Sequence, residues 1–252
     1  MAFILTSQLE TNYKDENNIR HSIPIEDKNK ILTNIKKFIK KYDKFVYVSN
    51  DPNNFDENEI KFVSMSESFH KTGLHFKENI LLDSRNLNFA KEILQDADLI
   101  ILSGGKCLCE LEFFKHIHLK EILTNFKGLV ISISAGTMNL CKTVANFPEE
   151  NSDLDQPRWL EGLGFFSKII IPHFDGKTKT YQIACEEIDV INDYVLPLSK
   201  EKEFIGMTNG SYILLDNNNV EYYGELYSIK NGKVKELKNW LQWIWIINKI
   251  SN

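Results

Sequence analysis

The sequence lacks any apolar run long enough to cross a bilayer. Its longest apolar stretches, such as Ala97–Leu102 and Leu129–Ile133, fall far short of the roughly 20 residues that a membrane-spanning helix needs. The first residues, Met1–Leu5, are apolar but the chain turns polar at Thr6, with neither a basic segment nor a cleavage site of the kind found in export signals. We therefore expect a first strand here, no membrane partner and a cytoplasmic location.

Concentrated positive charge is also missing. The net charge is −5 at pH 7, and lysine and arginine are spread along the chain. Proteins that bind a phosphate backbone usually gather these residues into a stripe or patch. Nucleic acid is therefore not an expected partner.

Cysteine is scarce, and the four cysteines do not show the paired spacing of a metal site. They stand at positions 107, 109, 141 and 185. A cytoplasmic setting would keep these thiols reduced. We interpret them as structural or incidental and expect no metal site.

The sequence does contain an ordinary globular composition, 42% hydrophobic and 26% charged over 252 residues, which suits one large α/β domain. In the first half, short apolar runs alternate with amphipathic stretches, as in βαβ units with a parallel sheet. The predicted strands are Phe3–Thr6, Lys44–Ser49, Asn79–Leu82, Asp98–Leu102 and Gly128–Ile133, and the predicted helices lie in Asp27–Lys41, Asn58–His70, Asn88–Gln95, after Gly105 and from about Ala135. We predict a single domain over residues 1–252, with a mostly parallel central sheet flanked by helices. The remainder is richer in strands, and the apolar tail Trp240–Ile250 is expected to pack back on the body.

One strand ends in a pattern that could carry chemistry. The run Gly128–Ile133 breaks at Ser134-Ala135-Gly136 and continues with helical composition. This resembles a nucleophile elbow, the strained strand-to-helix turn that presents a catalytic serine and needs small neighbours. The match is partial, because Ser132 stands where the elbow pattern has a glycine. The alternative is a plain junction in which Ser134 caps the helix, and these residues alone leave both interpretations open.

A nucleophilic serine needs a histidine as its base and a third group that orients the histidine. His173 is the best placed of the six histidines, because it follows the apolar run Ile169–Pro172 at the end of a predicted strand. A carboxylate in the loop between the serine and the histidine could be the third group. Spacing does not choose among the four candidates, which are Glu149, Glu150, Asp153 and Asp155.

The oxyanion of an acyl-transfer intermediate needs backbone N–H donors. The Gly104-Gly105 pair follows the strand Asp98–Leu102, and Ala135 follows the candidate serine. Chemistry in parallel sheets collects at the carboxyl ends of the strands, so Gly105 and Ala135 fit the two donor positions. A plain tight turn is the alternative for the glycine pair.

These stretches, in order and spacing, resemble the peptidase E and cyanophycinase family of serine peptidases. The resemblance runs over roughly residues 95–235, and its most specific parts are Ser-Ala-Gly and Pro-His-Phe at their separation. The matching stretches are Ser103-Gly104-Gly105, Ser134-Ala135-Gly136, Ile171-Pro172-His173-Phe174, and Gly206–Ile213 followed by Tyr223-Gly224.

The resemblance implies a class I glutamine amidotransferase-like fold, which is a flavodoxin-like three-layer sandwich. It also implies a serine peptidase that needs no cofactor and hydrolyses short peptides, with N-terminal aspartate dipeptides as expected substrates. By position, the implied residues are Ser134 as nucleophile, His173 as base, Asp153 as the acid, and Gly105 with Ala135 as the oxyanion hole.

Two departures leave alternatives open. The family usually continues Gly-Gly with Asn-Thr, whereas this chain has Lys106-Cys107. Aspartate specificity would need a cationic pocket, to which Lys106 or Arg158 could contribute. The alternative function is a binding or regulatory domain that kept the scaffold and lost hydrolysis or changed specificity. A glutamine amidotransferase proper ranks lower because it uses cysteine where this chain has Ser134. A homodimer is compatible with the sequence, which does not indicate the oligomeric state.

Overall fold

The computed structural model describes residues 1–176, 180–183, 186–216 and 219–237. In these ranges the strands are β1 (Ala2–Thr6), β2 (Asn12–Lys14), β3 (Arg20–Ser22), β4 (Lys44–Val48), β5 (Glu78–Leu82), β6 (Leu99–Leu102), β7 (Leu129–Ile133), β8 (Thr143–Ala145), β9 (Trp159–Glu161), β10 (Ile169–Ile171), β11 (Thr180–Ile183), β12 (Glu186–Asp189), β13 (Phe204–Met207), β14 (Tyr212–Asp216), β15 (Asn219–Tyr223), β16 (Leu226–Lys230) and β17 (Lys233–Glu236). The α-helices are α1 (Ile31–Phe38), α2 (Phe55–Lys71), α3 (Ala90–Gln95), α4 (Cys107–His116), α5 (Leu119–Asn125), α6 (Ala135–Leu140) and α7 (Leu196–Leu198). The predicted tail Trp240–Ile250 and position 185 lie outside the described residues.

The central sheet has seven strands in the order β15-β14-β1-β7-β6-β4-β5. Five neighbouring strands of this sheet, β1, β7, β6, β4 and β5, are parallel. The strands β14 and β15 add an antiparallel hairpin at one edge. This confirms the predicted mostly parallel sheet. No helix in the described ranges is both long and apolar enough to cross a membrane.

The apolar composition of β6 explains its place inside the sheet. All four of its residues are fully buried, as expected for a parallel strand covered by helices on both faces. Ile100 and Leu102 belong to the core on one face, whereas Leu99 and Ile101 belong to the core on the other. The sheet therefore separates two hydrophobic cores, which gives the expected three layers.

A second sheet lies beside the first and has the order β10-β13-β16-β17. Its strands β10 and β13 are parallel, with Ile171 opposite Gly206. The residues that follow these two strands therefore leave the sheet at the same edge. A third hydrophobic cluster, which includes Phe174 and Phe204, packs this sheet against the segment around Val190.

Candidate active site

Ser134 lies at the sharp turn between β7 and α6. Its backbone has φ 50° and ψ −111°, a conformation that costs energy for a residue with a side chain. Its N–H donates to the Thr6 carbonyl at 3.0 Å, and its own carbonyl accepts from the Met138 N–H at 3.0 Å. The Ser134 side chain makes no capping hydrogen bond to α6. The turn therefore has the geometry of a nucleophile elbow and not that of a serine that caps its helix.

Gly136 allows α6 to start against the backbone of β6. A Cβ at this position would lie 2.6 Å from the Ser103 carbonyl oxygen and 2.8 Å from that of Leu102. Because backbone atoms cannot move aside easily, a side chain here would displace the first turn of α6 and Ser134 with it.

We expect Gly136→Ala to lower the free energy of unfolding by about 1–3 kcal/mol, as overpacking does, and also to lower kcat. Thermal or denaturant unfolding and peptide hydrolysis measure the two effects. Gly73→Ala is the control, because no atom lies within 4 Å of its Cβ position and its φ is +80°. That control should lose about 1 kcal/mol through backbone strain alone and keep its kcat. An unchanged kcat in Gly136→Ala would show that the elbow tolerates the shift.

His173 lies just after a strand of the second sheet, and its side chain contacts Ser134. It follows β10, and its Nε2 lies 2.9 Å from the Ser134 Oγ. Its backbone φ of 56° is also in the left-handed region. The next residue, Phe174, donates its N–H to the Met207 carbonyl at 2.9 Å. This bond joins the ends of β10 and β13 and so fixes the position of the histidine.

Asn209, just after β13, contacts the other nitrogen of the ring. Its Oδ1 lies 2.8 Å from the His173 Nδ1. An amide oxygen can only accept a hydrogen bond, so the Nδ1 carries the proton and donates it. The Nε2 is then left with its lone pair toward Ser134, which is the tautomer that a general base requires.

Ser7 supports both residues from the end of β1. Its side chain is fully buried. The Ser7 Oγ accepts from the His173 N–H at 2.7 Å and donates to the Asn209 Oδ1 at 3.1 Å. One hydroxyl therefore holds the strained histidine backbone and also orients the amide that faces its ring.

The structure places Asp153, the expected acid, in hydrogen bonds within its own loop. The Asp153 carboxylate accepts hydrogen bonds from the N–H groups of Glu149 and Glu150, at 3.1 and 3.2 Å, and from the Gln156 Nε2 at 3.0 Å. These bonds make it the organiser of its own loop, whereas the amide of Asn209 lies against the His173 Nδ1. Asp155, another candidate, is exposed on the same loop.

The glycine turn after β6 packs directly against the serine. A Cβ on Gly104 would lie 3.0 Å from the Ser134 Cβ and 3.0 Å from the Ile133 carbonyl oxygen. Gly105 and Ala135 line the same cleft as Ser134. The structure therefore brings Gly105 and Ala135 into the same cleft as the candidate nucleophile.

The cleft has a volume of about 610 Å³ and is lined by loops from both sheets. This volume falls in the usual range for small-molecule sites. Its charged lining consists of Asp51, Glu57, Lys61, Lys106, Glu149, Glu150 and Asp153, together with His173. Carboxylates therefore outnumber lysines in the described lining.

Both lysines of the cleft are paired with carboxylates. The Lys106 Nζ lies 2.7 Å from a Glu150 carboxylate oxygen, and hydrogen bonding to Glu150 raises the pKa of Lys106. The Lys61 Nζ lies 3.6 Å from Glu57. Arg158, the other expected cation, stacks its guanidinium 4.3 Å from the centre of the Tyr194 ring.

Sequence reasoning missed Asn209 and Ser7. The predicted third group was a carboxylate in the loop before His173, so that prediction did not include an amide located after the histidine. Asn209 nevertheless stands inside the stretch Gly206–Ile213 that carried part of the resemblance. Ser7 had a weaker signal, namely a polar residue at the end of a predicted parallel strand.

Comparison with known proteins gives consistent results. The family model described as peptidase family S51 matches residues 22–223. Among solved structures, a peptidase from an acI-B1 Actinobacterium superposes with a TM-score of 0.63 at 15% sequence identity, covering 94% of each chain. A protein assigned to peptidase E from Listeria monocytogenes EGD-e superposes with a TM-score of 0.56 at 14% identity, covering 94% of this chain and 98% of that one. At these identities the two structures show the fold. No curated protein sequence matches this chain.

Proposed function

Because this chain belongs to peptidase family S51 and is a serine peptidase, we propose that it hydrolyses short peptides through an acyl-enzyme on Ser134. The observation that carries this proposal is the 2.9 Å contact between the Ser134 Oγ and the His173 Nε2. It joins a serine in a strained elbow to a histidine whose other nitrogen is already held. Nucleophile, base and orienting group in this chain of contacts form the arrangement that activates a serine hydroxyl.

The proposed reaction starts when the Ser134 Oγ attacks the scissile carbonyl carbon and its proton passes to the His173 Nε2. Asn209 keeps the Nδ1 proton in place and so holds the imidazolium that forms. The backbone N–H groups of Gly105 and Ala135 stabilise the oxyanion. The imidazolium then gives its proton to the leaving amine, and a water molecule, deprotonated by the same Nε2, hydrolyses the ester on Ser134.

A serine-directed phosphonate tests this assignment. We expect one covalent adduct per chain, mapped by mass spectrometry to the peptide that contains Ser134, and loss of dipeptide hydrolysis in step with labelling. The alternative, a domain that kept the scaffold without hydrolysis, predicts neither labelling nor hydrolysis. An adduct on another serine would overturn the site while leaving the peptidase activity in place.

The charge of the cleft bears on the substrate. N-terminal aspartate, which the family resemblance implies, needs a cation that can receive the substrate carboxylate. In the described lining Lys106 is paired with Glu150, and the carboxylates of Asp153 and Asp51 act on it as well. We therefore propose that the enzyme cleaves dipeptides with neutral or basic N-terminal residues in preference to Asp-Xaa. A dipeptide panel decides the point, since a preference for Asp-Xaa would restore the implied specificity.

Glu150→Gln should move this selectivity toward acidic substrates. Removing the carboxylate releases Lys106 from its ion pair, so the lysine becomes able to bind a substrate aspartate. Because the ion pair is exposed and therefore weak, the ratio of kcat/KM for Asp-Xaa to that for Ala-Xaa should rise only about two- to five-fold. Glu161→Gln, which changes an exposed carboxylate on β9, serves as the control. An unchanged ratio of the two kcat/KM values would exclude Lys106 as the residue that binds the substrate side chain.

A further inference from the structure

A buried amide lies behind the oxyanion site and joins its two halves. Asn139 is on α6, the helix that starts directly after Ser134, and its side chain is fully buried. It faces the first turn of α4, the helix that begins two residues after Gly105. The two expected oxyanion donors therefore lie at the starts of two helices, Gly105 just before α4 and Ala135 at the first residue of α6, and the contact between these helices includes this side chain.

Every hydrogen-bonding group of the Asn139 amide is used in that contact. Its Nδ2 donates to the Cys107 carbonyl at 3.0 Å and to the Glu110 Oε2 at 3.0 Å. Its Oδ1 accepts from the Cys107 Sγ at 3.1 Å. Two of these bonds reach Cys107 and the third reaches the next turn of the same helix, so the start of α4 cannot shift along α6 without breaking them.

The partner carboxyl makes this contact costly to break. Glu110 is fully buried, and burial raises the pKa of its carboxyl group well above the ordinary value. Its Oε2 is held by Asn139, while its Oε1 has no hydrogen-bond partner among the described residues. Loss of the Asn139 amide would leave both oxygens buried without a partner, which proteins avoid.

We propose that Asn139 is a positioning residue that sets the distance between the backbone N–H groups of Gly105 and Ala135. It does not touch substrate. It acts by holding the turn at Lys106-Cys107 against α6, so that the N–H groups of Gly105 and Ala135 both point to the place where the oxyanion forms. The proposal rests on the proposed function, because it assigns to Asn139 a role in that same acyl transfer.

Asn139→Ala should lower kcat by about 10²-fold while KM changes little, because a displacement of about 1 Å at a reacting centre has effects of that size. The rate of phosphonate labelling should fall in parallel. Asn34→Ala is the matched control, since Asn34 is also a buried helical amide, donates to the Tyr212 hydroxyl at 2.8 Å and lies on α1. It should lose stability and keep kcat. Glu110→Gln keeps an oxygen that can accept from the Asn139 Nδ2 and should retain activity close to that of the wild type.

A second measurement detects the contact between Asn139 and Cys107 without relying on catalysis. Alkylation of Cys107 by iodoacetamide, mapped by mass spectrometry, should become several-fold faster in Asn139→Ala and stay unchanged in Asn34→Ala, because the thiol loses its acceptor and its turn is released. An unchanged alkylation rate would overturn the proposal, as would equal kcat in the two alanine variants. If the wild type shows no phosphonate labelling at Ser134, the proposed function fails. Faster alkylation of Cys107 in Asn139→Ala would still show that Asn139 holds the start of α4.

Discussion

Ser134→Ala is expected to lower kcat by about 10⁶-fold, the loss seen when a serine nucleophile is removed from a complete catalytic group. Alanine has no atom that can attack the carbonyl, and neither His173 nor the oxyanion donors can replace it. KM should change little, because the cleft that binds the peptide stays in place. Steady-state hydrolysis of the best dipeptide substrate measures both constants.

The variant should remain folded, so lost activity can be assigned to chemistry. The backbone bonds that hold the elbow, from Ser134 to Thr6 and from Met138 to Ser134, do not involve the serine side chain. Unfolding curves should therefore lie close to those of the wild type. Ser228→Ala, on β16 of the second sheet, is the control and should keep full activity. More than about one per cent of wild-type kcat in Ser134→Ala would contradict an acyl-enzyme on this residue.

The sequence predicted the central sheet well because burial leaves a clear pattern there. Parallel strands covered on both faces are apolar throughout, and β6 and β7 could be placed almost to the residue. The short hairpins β2-β3 and β8-β9 were not predicted. Each of their strands has only three residues and none alternates between buried and exposed positions, so neither length nor alternation distinguishes them from loops.

In the site too, relations between residues close in the sequence could be predicted, whereas contacts between distant residues could not. Ser134 and Ala135 lie on one continuous strand-to-helix turn, so their relation can be read from consecutive residues. The third group depends on the parallel pairing of β10 with β13, which brings Asn209 beside His173 across 36 positions of chain. No periodicity in the sequence encodes that pairing. The family resemblance implied Asp153, a carboxylate in the loop before His173, whereas the group that lies against the His173 Nδ1 is the amide of Asn209.

The identity of that amide leads to the second large effect. Asn209→Ala should lower kcat by about 10²-fold, within the range that general acid–base catalysis contributes. Without the Oδ1 acceptor, the imidazole loses the contact that keeps its proton on Nδ1, and a proton on Nε2 would prevent that nitrogen from accepting from Ser134. The Ser7 hydroxyl would lose the acceptor at 3.1 Å as well, so the strained backbone at His173 would be held less firmly.

Asn209→Asp is the informative partner of this variant. A carboxylate oxygen can accept from both the Nδ1 and the Ser7 hydroxyl, so kcat should stay within about tenfold of the wild type. The added negative charge favours the imidazolium, so the acidic limb of the kcat/KM profile should move to higher pH. A pH series on both variants measures these effects. If Asn209→Ala retains wild-type activity, or if Asn209→Asp is as inactive as the alanine variant, then hydrogen-bond acceptance at Nδ1 is not what Asn209 contributes.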